Sequence, residues 1–116
     1  MDSLHPNFRL WIYSDKRNGV FGDGKARLLE KIKETGSLKK TAELLNISYR
    51  KAWGDLKKAE SCMSMRLVKR ERGGKKGGKT ILTENGAMLL QAYNSFRIRI
   101  EKYVEKELAN MLRRMK

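Results

Sequence analysis

The sequence predicts a mainly α fold with small β hairpins. Three observations carry that expectation. Two short amphipathic helices are joined by a very brief turn, and two β-compatible runs flank a glycine-rich basic segment. A last stretch of roughly thirty residues holds no proline and no interior glycine, so nothing in it interrupts a helix.

From the N-terminus, Phe8 to Tyr13 alternates roughly apolar with polar. Asp15, Lys16, Arg17, Asn18 and Gly19 then supply turn chemistry before Val20 and Phe21, which predicts a β-hairpin. Asp23 is the expected N-cap of a first helix whose apolar positions Ala26, Leu28, Leu29 and Ile32 share one face until Gly36 closes it. Ser37 caps a second short helix through Leu45, with Leu38, Ala42 and Leu45 turned inward. Asn46 and Ile47 form the tight turn, and Ser48 caps a third helix to about Glu60 that buries Ala52, Leu56 and Ala59. Leu67 to Arg72 and Lys79 to Leu82 read as strands on either side of Gly73 to Gly78, a hairpin with a flexible, doubly basic tip. Thr83 caps the final helix, which runs from Ala87 to the C-terminus.

The layout is a winged helix-turn-helix, with a single domain over 1–116. It comprises an N-terminal hairpin arm at 1–23, helix-turn-helix and wing at 24–86, and a long C-terminal dimerisation helix at 87–116. At 1.5 Å per residue the last helix reaches ~45 Å, more than a compact domain of this length can cover. Its apolar positions Leu89, Tyr93, Phe96, Ile100, Val104, Leu108 and Met111 step by three or four residues and continue to Met115. Such a stripe needs a partner, most simply the same helix of a second subunit, although Glu107 interrupts the seam.

Composition narrows the function. The 27 Lys and Arg against 13 Asp and Glu leave a net charge of +14, which attracts polyanions. The excess is focused: Arg66 to Lys79 carries seven bases and one acid. A spanning helix needs about 18 consecutive apolar residues, and the chain has no such run; the start lacks a signal-peptide pattern. A cytoplasmic location without a membrane partner is therefore expected. One cysteine, Cys62, and one histidine, His5, cannot build a disulfide or a structural zinc site, so neither cofactor nor metal is expected.

One motif competes with this reading. Gly73 to Thr80 satisfies G-x-x-x-x-G-K-[ST], which would make the chain a small nucleotide-binding protein with Lys79 on phosphates and Thr80 on magnesium. That chemistry requires a helix to begin at the lysine, whereas Thr80, Ile81 and Leu82 continue as strand. A glycine-rich hairpin tip accounts for the same residues, and no enzymatic activity is expected.

The third helix has a basic face beside its apolar one. At 100° per residue from Tyr49, Ala52, Leu56 and Ala59 fall at about 300°, 340° and 280°, while Trp53, Lys57, Arg50 and Gly54 fall at about 40°, 80°, 100° and 140°. Gly54 costs about 1 kcal/mol of helix propensity, which is understandable where another surface approaches the backbone. Trp53 stands between two roles, sealing the core edge or lying against sugar and thymine methyl groups. For Arg50, Lys51, Lys57 and Lys58 alone, mere solvation of an exposed helix would suffice as an account. Alongside a wing carrying Lys69, Arg70, Arg72, Lys75, Lys76 and Lys79, which outnumber nearby acids, neutralisation by phosphates accounts for more.

The run Gly36-Ser-Leu-Lys-Lys-Thr-Ala-Glu-Leu-Leu-Asn-Ile-Ser-Tyr-Arg-Lys-Ala-Trp53, the Leu67-Val68 pair, the doubled-glycine wing and Leu82-Thr-Glu-Asn-Gly86 resemble a known family. They are similar to the N-terminal DNA-binding domain of the molybdate-dependent transcriptional regulators, the ModE family, and more distantly to LysR-type regulators. The resemblance implies a homodimer that binds double-stranded DNA at a palindromic operator. It places Ser48, Tyr49, Arg50 and Trp53 at the start of the recognition helix, with Arg50 where the family often has Lys. Ser37, Lys39 and Lys40 are expected to grip backbone beside Lys51 and the wing, and Arg50 and Lys57 to read bases. Family members continue into molybdate-binding domains, whereas the sequence stops at Lys116. Molybdate sensing is therefore not carried over, and a separate effector-sensing protein, or abundance alone, is expected to supply the signal.

Overall fold

The computed structural model describes residues 3–73 and 78–116. Among them the order is β1 (Trp11–Ser14), β2 (Arg17–Gly22), α1 (Asp23–Thr35), α2 (Leu38–Leu44), α3 (Tyr49–Met63), β3 (Val68–Glu71), β4 (Lys79–Leu82) and α4 (Glu84–Arg114). The expected winged helix-turn-helix with an N-terminal hairpin and a long last helix is the fold observed.

β1 and β2 pair antiparallel, Trp11 opposite Gly22 and Ser14 opposite Arg17. The turn is thus only Asp15 and Lys16, shorter than the Asp15–Gly19 segment expected. Gly19 is instead inside β2 at φ 58°, where the register slips, so its freedom serves a bulge rather than the turn. Gly22, with Asp23 beginning α1, takes the cap position that the sequence assigns to Asp23, and it makes no side-chain cap hydrogen bond. α1 ends at Gly36, left-handed at φ 68°, whose N–H donates to the Ile32 carbonyl.

Ser37 and Ser48 cap α2 and α3 by accepting from the backbone N–H of Lys40 and Lys51. Between the two helices, Asn46 adopts φ 57° and the Ile47 N–H returns to the Ala42 carbonyl. α3 runs one turn beyond Glu60, because Cys62 and Met63 still pack against the core, and ends at Ser64.

The core gathers Phe21 from β2, Leu28, Leu29 and Ile32 from α1, Ala52, Leu56 and Ala59 from α3, Leu67 before β3, and Leu90 and Tyr93 from α4. α4 is held at its start by close backbone contact. The Thr83 N–H donates to the Leu67 carbonyl and its hydroxyl to the Arg66 carbonyl, while the same hydroxyl oxygen accepts from the Gly86 N–H. A Cβ at Gly86 would lie 2.1 Å from the Leu67 oxygen. Tyr93 is the last core residue of α4, and the molecule measures 65 × 35 × 24 Å.

Candidate nucleic-acid interface

α3 is seated by its apolar side, and that seating decides what the rest of it shows. Ala52, Leu56 and Ala59 are buried; diametrically opposite lies Gly54, exposed, with open space where a Cβ would point. Arg50 and Lys58 are exposed beside it, and Arg50 has no acid partner among the described residues. Lys51, further round, pairs with Asp55 at 3.3 Å. A cationic ridge centred on a residue with no side chain is suited to a surface that must approach the backbone itself.

On one flank of α3 the wing and the start of α2 enclose a cleft of about 300 Å³. Ser37, Lys39, Tyr49, Trp53, Lys57 and Arg70, all expected site residues, line it together. Tyr49 and Trp53 are 53% and 45% exposed, so Trp53 does not seal the core. The cleft keeps its shape through hydrogen bonds at its base. The Thr80 N–H of β4 donates to the Gly36 carbonyl at 2.9 Å, tying the wing to the α1–α2 corner. The Glu60 carboxylate, 8% exposed, accepts from the Leu67 N–H at 2.8 Å and the Val68 N–H at 3.4 Å, tying α3 to the root of β3.

Other expected site residues are exposed without lining the cleft: Lys40 on α2, Ser48 at the cap of α3, Arg72 just past β3, and Lys79 on β4. Lys75 and Lys76 lie outside the described residues. Glu60 and Arg66 also line the cleft, and no sequence pattern marks either of them as part of it. Glu60 sat in a pattern that reads as the end of a helix, and its hydrogen bonds depend on the later chain crossing back beneath it. Lys58 was visible as a base four residues after Gly54.

Lys79 and Thr80 are strand residues and the next helix begins at Glu84. A phosphate at Lys79 would therefore meet no helix N-terminus, the feature the nucleotide-binding motif depends on.

Along α4 the expected dimer stripe divides. Leu89 packs against the body core, and Tyr93 turns fully inward, 3% exposed, with its ring edge-on to Phe21 at 5.1 Å. Phe96 and Met111 are exposed, and Ile100, Val104 and Leu108 are half-buried along the helix that projects from the body. The Tyr93 hydroxyl lies between the Leu10 carbonyl and the Asp23 carboxylate, either of which it can donate to. Arg97 donates to the same carboxylate at 2.9 Å and stacks on Phe8. Burial alone would raise the Asp23 carboxyl, but the hydrogen bonds from Arg97 and Tyr93 and the Arg97 charge outweigh it and hold it below the usual value. Burial first, then Asp23, pushes the Tyr93 phenol well above its ordinary range.

Fold, cationic helix and cleft together define a winged helix-turn-helix protein. Residues 24–87 match the bacterial regulatory helix-turn-helix family of LysR type, and the chain belongs to that family. Among curated proteins it is 37% identical over 79 residues to the transcriptional regulator ModE of Haemophilus influenzae, covering 67% of this chain and 31% of that protein. It is 40% identical over 67 residues to ModE of Yersinia pestis, 58% and 26% of the two chains. With the molybdenum transport protein ModE of Azotobacter vinelandii it shares 31% over 87 residues, 75% and 32%. The chain spans about a third of the length of these relatives or less. The helix-turn-helix is therefore of LysR type and is similar in sequence to part of the ModE regulators. No helix among the described residues is long and apolar enough to cross a membrane.

Proposed function

We propose that the protein acts as a homodimer on an inverted-repeat operator, with α3 of each subunit in a major groove and the wing against neighbouring backbone. The observation that carries this is the exposed cationic ridge around Gly54 beside a basic, aromatic-walled cleft. A dimer is supported by the apolar positions Phe96, Ile100, Val104, Leu108 and Met111 on the part of α4 that outruns the body. Two-fold symmetry would set the recognition helices about 34 Å apart or a multiple of that. Selection of duplexes from a random pool, followed by footprinting, should return inverted half-sites; half-sites in direct repeat, or no enrichment, would overturn the reading.

The names of the relatives point to a molybdenum-linked regulatory setting. Residues 1–116 are proposed to bind DNA without sensing an effector themselves, the signal coming from outside this stretch of chain or from abundance alone. Molybdate added to the purified chain is then expected to leave operator affinity unchanged, and a several-fold shift in a gel-shift titration would place sensing in this chain.

A further inference from the structure

Lys57 lies on the basic side of α3, yet its ammonium is already engaged. It sits 4.6 Å over the Trp53 ring and 3.5 Å from the Glu60 carboxylate. Glu60 in turn is held by the backbone of Leu67 and Val68 at the wing root. The three side chains form a brace from the wing, through Glu60 and Lys57, to one face of the indole. A base-reading lysine would have to leave both partners, whereas Arg50 has no acid to leave among the described residues.

Trp53 stands about a quarter-turn round α3 from Gly54, on the side of the wing. If α3 occupies a major groove and the wing reaches the adjacent minor groove, the phosphodiester strand separating those grooves must pass between them, along the cleft. What the cleft offers matches such a strand. Tyr49 and Trp53 give an apolar wall suited to the carbon face of a deoxyribose, while Lys39, Lys69 and Arg70 supply cations for the flanking phosphates. The Ser37 oxygen accepts from Lys40, leaving its hydroxyl proton to donate.

We infer that Trp53, braced by Lys57 and Glu60, packs against a deoxyribose of the DNA strand that runs through the cleft between α3 and the wing, and that Lys57 is a positioning residue. This rests on the DNA-binding reading above. It divides the labour: Trp53 contributes affinity without sequence preference, and Arg50 contributes preference.

The test compares an operator duplex recovered by selection with a scrambled duplex of the same composition, each titrated across salt. Trp53→Ala is expected to lose about tenfold or more on both duplexes, leaving their ratio unchanged, and Trp53→Phe to retain most of the affinity. Lys57→Arg, which can still stack and reach Glu60, should behave as wild type. Lys57→Met should lose several-fold equally on both duplexes with the salt slope unchanged. A fall in the operator-to-scrambled ratio for Lys57→Met would make it a base reader. A slope shallower by about 1.8 for the dimer would make it a phosphate contact. Either result overturns the inference, as does an unaltered affinity in Trp53→Ala. In a Trp11→Phe background Trp53 is the sole indole, and its emission should shift to the blue on binding either duplex; an unshifted emission also overturns it. Failure of the wild type to bind DNA at all would instead remove the functional reading on which the inference stands.

Discussion

At Gly86 the constraint is one of space. The Leu67 oxygen occupies the site a Cβ would take, and the same carbonyl accepts the Thr83 N–H that starts α4. Gly86→Ala must push α4 off the wing root, and overpacking of this kind costs about 1–3 kcal/mol, so a lowered thermal midpoint is expected. Asp23 makes a second prediction. Its carboxyl is held low in the folded protein, so its stabilisation is complete above the unfolded value of about 3.9 and drains away as pH falls through the folded one. Tyr93 runs the other way. Its raised phenol gives stability present below about 10 and lost as pH climbs beyond that. Asp23→Asn should cost roughly 1.5 kcal/mol, the low end for a charge-assisted bond because Arg97 keeps Glu101, and should flatten the acid limb of denaturant midpoint against pH. An unchanged acid limb would contradict the assignment.

At the scale of elements, the helices were legible because their signals are local. Ser37, Ser48, Thr83 and Gly36 each cap where the sequence places them, and the apolar spacing of α1 and α3 reports their buried faces. The N-terminal hairpin was legible in kind but not in register, since a bulge at Gly19 depends on Trp11 filling the space beside Gly19 and Gly22 from the opposite strand. Tyr93 was misread for the same reason. Its spacing fits the stripe of α4, but Phe21, Leu10 and Asp23, some seventy or more residues earlier, draw it into the body. The cleft, too, depends on Thr80 meeting Gly36 and on Glu60 meeting Leu67 and Val68 across the chain, and composition alone showed only its charge. α3 carries its own prediction. Gly54→Ala meets open space and should stabilise the helix by about 1 kcal/mol. If DNA approaches the backbone there, the same variant should bind operator several-fold more weakly despite its higher thermal midpoint; a stabilised variant with unaltered affinity would place the groove floor elsewhere.

For the whole molecule the decisive quantity is how many phosphates are neutralised together. Four per subunit in a dimer give a slope of log affinity against log salt near −7, and a single subunit would give about half of that. The two cases can be separated because the body core ends at Tyr93, whereas Leu108 lies on the projecting part of α4. Leu108→Asp buries a carboxylate in the proposed seam but removes nothing from the body, so the variant should stay folded by circular dichroism and sediment as a monomer. Its titration slope should then fall to about −3.6, and its preference for an inverted repeat over a lone half-site should disappear. Charge cannot produce that pattern without the seam, because one added carboxylate far from the cleft alters net charge by a single unit while leaving every cation of the interface in place. A Leu108→Asp protein that remains dimeric, or a monomer that keeps the full slope, would show that the two recognition helices are not joined through α4.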